Sequence, residues 1–213
     1  MAISCKKGSS SSDATPAQAK YMSFTAASTW NYQLINNATA STSNYVVTST
    51  NRDSTIGGKS YHVYVNSSSG ASEYYNLTGS DYYTFRALGA GLGGSNVETI
   101  YLKDNVNTGT SWTQAVSITF AGIPVTVNLT NTVTAKGITK TVNGVTYTDV
   151  IHVTTTMAVP GLPPGASIST DIQSFYARKY GMINNINKVT IIVPGFPTQT
   201  TDQVTNLTSA DIK

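Results

Sequence analysis

The chain has 213 residues, 39% of them hydrophobic and only 11% charged, with a net charge of +3. That length suits one large β domain or two small ones with a sizeable core. The scattered cations, with Lys6-Lys7 and Arg178-Lys179 as the only blocks, exclude a nucleic-acid footprint; no apolar run approaches the roughly 20 residues of a membrane-crossing helix, and a single cysteine excludes an internal disulfide framework.

Residues 1–20 read as a flexible tether, because the polar Ser9–Ser12 run beside Cys5 cannot pack. A short helical turn is expected at Pro16–Lys20. Beyond it no helical period appears, and Val, Ile, Thr and Tyr runs alternate with Gly, Asn and Ser. Trp30, Tyr32 and Leu34 share one strand face. The hairpin at Ile56-Gly57-Gly58-Lys59 follows, and a second spans Glu73–Phe85, with the tyrosine pairs 74–75 and 82–83 placed to meet across it. Trp112, Val116, Ile118 and Phe120 alternate with hydroxyls, as do Val125, Val127 and Leu129. Asn143-Gly144 sits between alternating residues, the strongest short-range hairpin signal. Pro160–Gly165 must be a loop.

The expected fold is all-β: an antiparallel up-and-down meander of about ten strands curled into a barrel or half-barrel, with a two-sheet β-sandwich as the alternative. It forms a single domain over 21–196, followed by a C-terminal tail, 197–213. Thr55–Tyr61 and Thr141–Tyr147 share the pattern T-[IV]-x-G-x-[ST]-Y, each after a Trp-led strand. This reads as an internal duplication, 28–100 and 110–194, in which two units cover each other's apolar face.

Few residues carry chemistry. Gly89–Gly94 satisfies G-x-G-x-x-G, but a strand pattern follows where a dinucleotide site needs a helix, so a loop is expected. His62 should lie on the solvated face. His152 has only Asp149 at short range, on the opposite strand face, so neither a metal nor a cofactor is expected. Glu73 and Asp81 flank one turn, where turn polarity is the simpler role. A Ser-His-Asp triad is not excluded by residue order, but no G-x-S-x-G elbow is present. An enzyme therefore ranks last. Alternation sends Trp30, Tyr32, Tyr61, Trp112 and Tyr147 inward and leaves Tyr64, Tyr75 and Tyr83 as an exposed ligand-binding platform.

Several strings resemble uncharacterised Bacteroidetes envelope lipoproteins. They are Ile3-Ser4-Cys5-Lys6-Lys7, Tyr101–Asp104 leading to Gly109–Trp112, Val142–Ile151 and Phe175–Ile183, and beyond the tether the resemblance covers roughly residues 28 to 194. Ile3 departs from the usual lipobox and Tyr180 from the small or apolar residue before glycine. The resemblance implies lipid attachment at Cys5, after a signal peptide is cut, and an envelope β-protein distantly like half-barrels that handle lipids. Lysines rather than acids after Cys5 favour the periplasmic face of the outer membrane. Asp53-Ser54-Thr55 resembles that phylum's O-glycosylation signal, with Ser54 as acceptor. The implied role is a non-enzymatic lipoprotein, its partners the membrane and a lipid or other amphiphile on a concave sheet; the alternative is a carbohydrate-binding or adhesive module using exposed tyrosines.

Overall fold

A computed structural model describes residues 19–87, 96–120 and 123–213. Cys5, the tether up to residue 18 and the Gly89–Gly94 loop lie outside the described residues, as do the side chains of Ile118 and Phe120.

Twelve strands follow in chain order: β1 (Thr29–Asn36), β2 (Ser41–Ile56), β3 (Lys59–Asn66), β4 (Ser72–Thr78), β5 (Asp81–Ala87), β6 (Asn96–Lys103), β7 (Ser111–Phe120), β8 (Ile123–Val142), β9 (Val145–Ala158), β10 (Ser167–Ala177), β11 (Gly181–Ile192) and β12 (Gln199–Asp211). Among the described residues there is no helix. All strands join one antiparallel sheet, ordered β6-β5-β4-β3-β2-β1-β12-β11-β10-β9-β8-β7. It curls into a nearly closed barrel, so the meander holds and the sandwich does not. Residues 197–213 are no tail, because they contain β12, which pairs with β1 on one side and β11 on the other. Its Thr-, Asn- and Gln-rich sequence hides the alternation, with Val204 and Leu207 as its few apolar marks.

The turns follow residue chemistry. Asn143 (φ 48°) and Gly144 (φ 79°) both occupy the left-handed region, as a two-residue hairpin of this type requires. The two T-[IV]-x-G-x-[ST]-Y hairpins join β2 to β3 and β8 to β9, six strands apart; Trp30 and Trp112 lie on β1 and β7, also six apart. On the outer face of β7, β8 and β9, hydroxyls pair across strands: Ser111 with Thr132 and Thr113 with Thr130 at 2.8 Å, and Thr141 with Thr146 at 3.0 Å. This polar outer face is the reverse of the apolar band of a membrane-spanning barrel.

The gap between β6 and β7 is bridged by side chains instead of a ladder. Ile100 N–H donates to Gln114 Oε1 (2.6 Å), and Ile100 O accepts from Trp112 Nε1 (2.9 Å) and Asn131 Nδ2 (3.2 Å). The edge strand thus keeps the backbone N–H and C=O of Ile100 satisfied without a ladder on this side.

The barrel has two unlike ends. One carries the turns at 57–58, 79–80, 143–144 and 178–180, and the described chain enters there. Tyr21, fully buried, donates its N–H to Tyr82 Oη (3.1 Å) and its hydroxyl to Asp149 (3.1 Å), under the Arg178 guanidinium at 4.5 Å. Tyr64 donates to Ser23 O (2.6 Å), and Gly181 (φ 71°) passes so near Tyr21 O that a side chain there would meet it at 3.3 Å. The β8–β9 tip packs Val142, Tyr147 and Val150 against Trp30 and Leu207, and Asn143 Nδ2 donates to Leu207 O (3.1 Å). This end is closed. The other carries the turns at 37–40 and 67–71 and the proline-rich loops 159–166 and 193–198, which meet where Gly165 approaches Pro194.

Candidate functional site

Among the described residues this second end is open, and two adjoining cavities, of about 410 Å³ and about 880 Å³, lie within the barrel. Period-two alternation builds their walls: Trp30, Tyr32 and Leu34 from β1, Tyr45 and Val47 from β2, Glu73 and Tyr75 from β4, and Thr84 and Arg86 from β5. The larger cavity has an apolar side made by Val97, Val116, Val127, Leu129 and Met157. Facing it, β11 and β12 supply amides, including Asn185, Asn187 and Gln203.

Ring contacts stiffen the lumen toward the closed end. Tyr64 lies edge-on to Tyr75 at 5.0 Å, and Tyr32 stacks on Tyr45 at 5.3 Å. Burial pushes the Tyr32, Tyr75 and Tyr101 hydroxyls well above the usual phenol range, so these phenols stay neutral hydrogen-bonding groups. The Tyr45 hydroxyl is pushed up to about 12, by burial first and then by the Glu73 carboxylate, with a Thr205 hydrogen bond and the Arg86 charge opposing. Glu73 is occupied: Asn66 Nδ2 and the Tyr75 hydroxyl each donate to it at 2.8 Å.

The three tyrosines expected to form one exposed platform do not share a surface. Tyr64 is 0% exposed. Tyr75 lines the lumen, while Tyr83 lies outside under the Lys59 ammonium, 3.6 Å from its ring centre. Tyr61, expected to build core, is buried at 1% exposure, but on the opposite face of β3 from Tyr64, near Phe85 and donating its hydroxyl to Glu98. In Tyr61-His62-Val63-Tyr64 either face is apolar enough for a core, so alternation alone cannot choose, and a one-residue slip exchanges them. Nor do the tyrosine pairs meet across their hairpin: Tyr74 pairs with Phe85, and Tyr82 with Leu77. Trp30, Tyr32 and Tyr147 are buried as expected, and Trp112 reaches the seam. Ser54 pairs with Tyr61 and is half-buried. Glu73 and Asp81 take separate partners, the latter Lys103.

His62 corrects a further expectation, since it points inward. Its Nε2 lies 2.9 Å from Ser49 Oγ and its Nδ1 2.8 Å from Asp53 Oδ1. The break in the β2–β3 ladder between Ser49 and Asp53 sets this geometry, with extra residues in β2 bringing both side chains to one histidine. The connectivity is that of a Ser-His-Asp relay, but the accessibility is inverted. Ser49 is 1% exposed, whereas the Asp53 side chain is 66% exposed. Ser49 lines neither cavity, and its N–H is spent on Ser28 O (2.9 Å). A nucleophile needs a free face and nearby oxyanion donors, so this chain of contacts clamps a broken ladder. Among the described residues no group of three or more His, Cys, Asp or Glu could hold a metal ion.

No protein-family model matches the sequence, and no curated protein matches it significantly. Among solved structures, the chain is similar to a crystal structure described as a "putative lipoprotein" from Parabacteroides distasonis, with 10% identity and a TM-score of 0.50 over 91% of this chain and 99% of that one. The likeness is one of fold.

Proposed function

We propose that this is a non-enzymatic, lipid-anchored envelope protein that holds an amphiphile in the open end of its barrel. The observation that carries the reading is the larger cavity: about 880 Å³, apolar on its β7–β9 side and amide-lined opposite. A cavity with an apolar side and an opposite wall rich in amides and hydroxyls suits a ligand with a hydrocarbon part and a polar head. The description of the structural neighbour supports the lipoprotein half of the reading.

A lipid on Cys5 would tether the barrel by its closed end, where Ala19 accepts from Arg178 Nη1 (2.8 Å) and Lys20 O from Lys179 N–H (2.7 Å). The residues between Cys5 and this latch could reach at most roughly 50 Å when fully extended. The mouth would then face away from the anchoring membrane, toward the periplasm if the anchor is in the outer membrane. O-glycosylation at Ser54 belongs to the same reading.

The test is native mass spectrometry of the protein purified from envelopes, with lipid extraction and a Met157→Trp variant that fills the apolar side. A bound amphiphile lost in the variant is expected. No bound species, together with no uptake of added C10–C16 amphiphiles, contradicts the reading.

A further inference from the structure

Arg86 has an unusual position for a cation. On β5 it follows Tyr82 and Thr84 on the same face, both buried. It lines both cavities and so stands where they adjoin. Among the described residues no other charged residue lines the larger cavity, and only Glu73 joins it in the smaller. Each oxygen of Glu73 already accepts a hydrogen bond, one from Asn66 and one from Tyr75. Among the described residues Arg86 has neither a hydrogen-bond nor an ion-pair partner. Three phenols feel its charge. Burial raises Tyr75 and Tyr176, and Tyr45 likewise, and Arg86 pulls each back. Two residues before it, Thr84 lines the smaller cavity, with its Oγ1 buried and without a partner.

We infer that the lumen selects a single-chain amphiphile with one negatively charged oxygen head, a carboxylate or a phosphodiester, bound by Arg86, with its tail along Val116, Val127, Leu129 and Met157. The inference rests on the amphiphile reading above and names its ligand class. Arg86 is exposed to solvent in the ligand-free protein and so keeps its hydration there. A neutral amphiphile filling the lumen strips that hydration and gives nothing back, and a cationic one adds repulsion. An oxyanion replaces the lost water with charge-assisted, bidentate hydrogen bonds. One unpaired cation matches one negative charge, because a second would meet the Glu73 carboxylate.

Isothermal titration below micelle concentration compares dodecanoate, dodecanol, dodecyltrimethylammonium and lauroyl lysophosphatidylglycerol on the wild-type chain, Arg86→Met and Arg86→Lys. Wild type should bind dodecanoate at least tenfold more tightly than dodecanol. Arg86→Met should lose at least tenfold for both anions, bind dodecanol more tightly than wild type because no guanidinium is left to desolvate, and keep the wild-type Tm, since Arg86 holds no structural bond. Arg86→Lys should recover part of the loss. The ratio of the two anions assigns the head to carboxylate or phosphodiester. Equal wild-type affinity for dodecanoate and dodecanol overturns the anion inference and leaves the amphiphile reading standing, whereas binding of none of the four overturns both.

Discussion

Removing the Tyr21 ring should unfasten the closed end. Tyr21 is fully buried among Tyr82, Leu102, Val133, Ile151, Val153 and Tyr176, and it joins three elements through its N–H, hydroxyl and ring. Replacing a buried aromatic ring with alanine costs about 4 kcal/mol, from lost transfer energy and the cavity left behind. In a chain of this size that is roughly 8–16 °C in Tm. Tyr21→Phe keeps the ring and loses only the bond to Asp149. Burial pushes the Asp149 carboxyl up, yet hydrogen bonds from Arg178 and Tyr21 and the Arg178 charge outweigh it and hold the group below the usual carboxylate range. Asp149 keeps Arg178 in the variant, so Tyr21→Phe should cost about 1 kcal/mol. Urea unfolding of both variants, followed by tryptophan fluorescence and circular dichroism, measures the difference. A Tyr21→Ala cost under 1 kcal/mol would refute the claim that the entering segment is part of the core.

Three further outcomes are expected. His152 stacks on Phe175 at 4.1 Å with its Nε2 buried and unpaired, and burial, then the Lys140 charge, lowers its pKa against an opposing Gln173 hydrogen bond. The folded state therefore resists protonation. Stability is full above the unfolded histidine value and falls as pH drops below about 6.5; His152→Phe should flatten that fall in urea midpoints measured from pH 8 to 5. Gln114→Ala should speed amide exchange at Ile100, whose N–H loses its 2.6 Å acceptor at the seam, at a cost of about 1–3 kcal/mol to the local opening energy. Thr84→Val removes an unpaired buried hydroxyl and should raise the unfolding free energy of the ligand-free protein by about 1 kcal/mol, read from denaturant curves.

The elements legible in the sequence are those where one face is apolar and the other hydroxylic. β7 and β8 show it plainly, and Asn143-Gly144 needs no tertiary context to turn the chain. β12 was hidden because its lumen positions include Thr201, Gln203 and Thr205, polar residues that face a cavity, so the polar–apolar contrast disappears. β3 was ambiguous because aromatic residues occupy both faces. The same logic concealed the site: Arg86 reads as a surface residue and is solvent-exposed, and only the curl of the sheet makes it line both cavities, while Glu73 reads as turn polarity until Asn66 and Tyr75 claim it. The Ser49-His62-Asp53 chain depends on a ladder break that no local pattern announces.

The account stands most directly on where an amphiphile sits. Carbon-13-labelled dodecanoate, observed by nuclear Overhauser contacts to methyl-labelled protein, should report proximity of its chain to Met157, Leu129 and Val127. Contacts confined to exposed apolar residues such as Phe196 and Val145, with the lumen methyl groups silent, would contradict it.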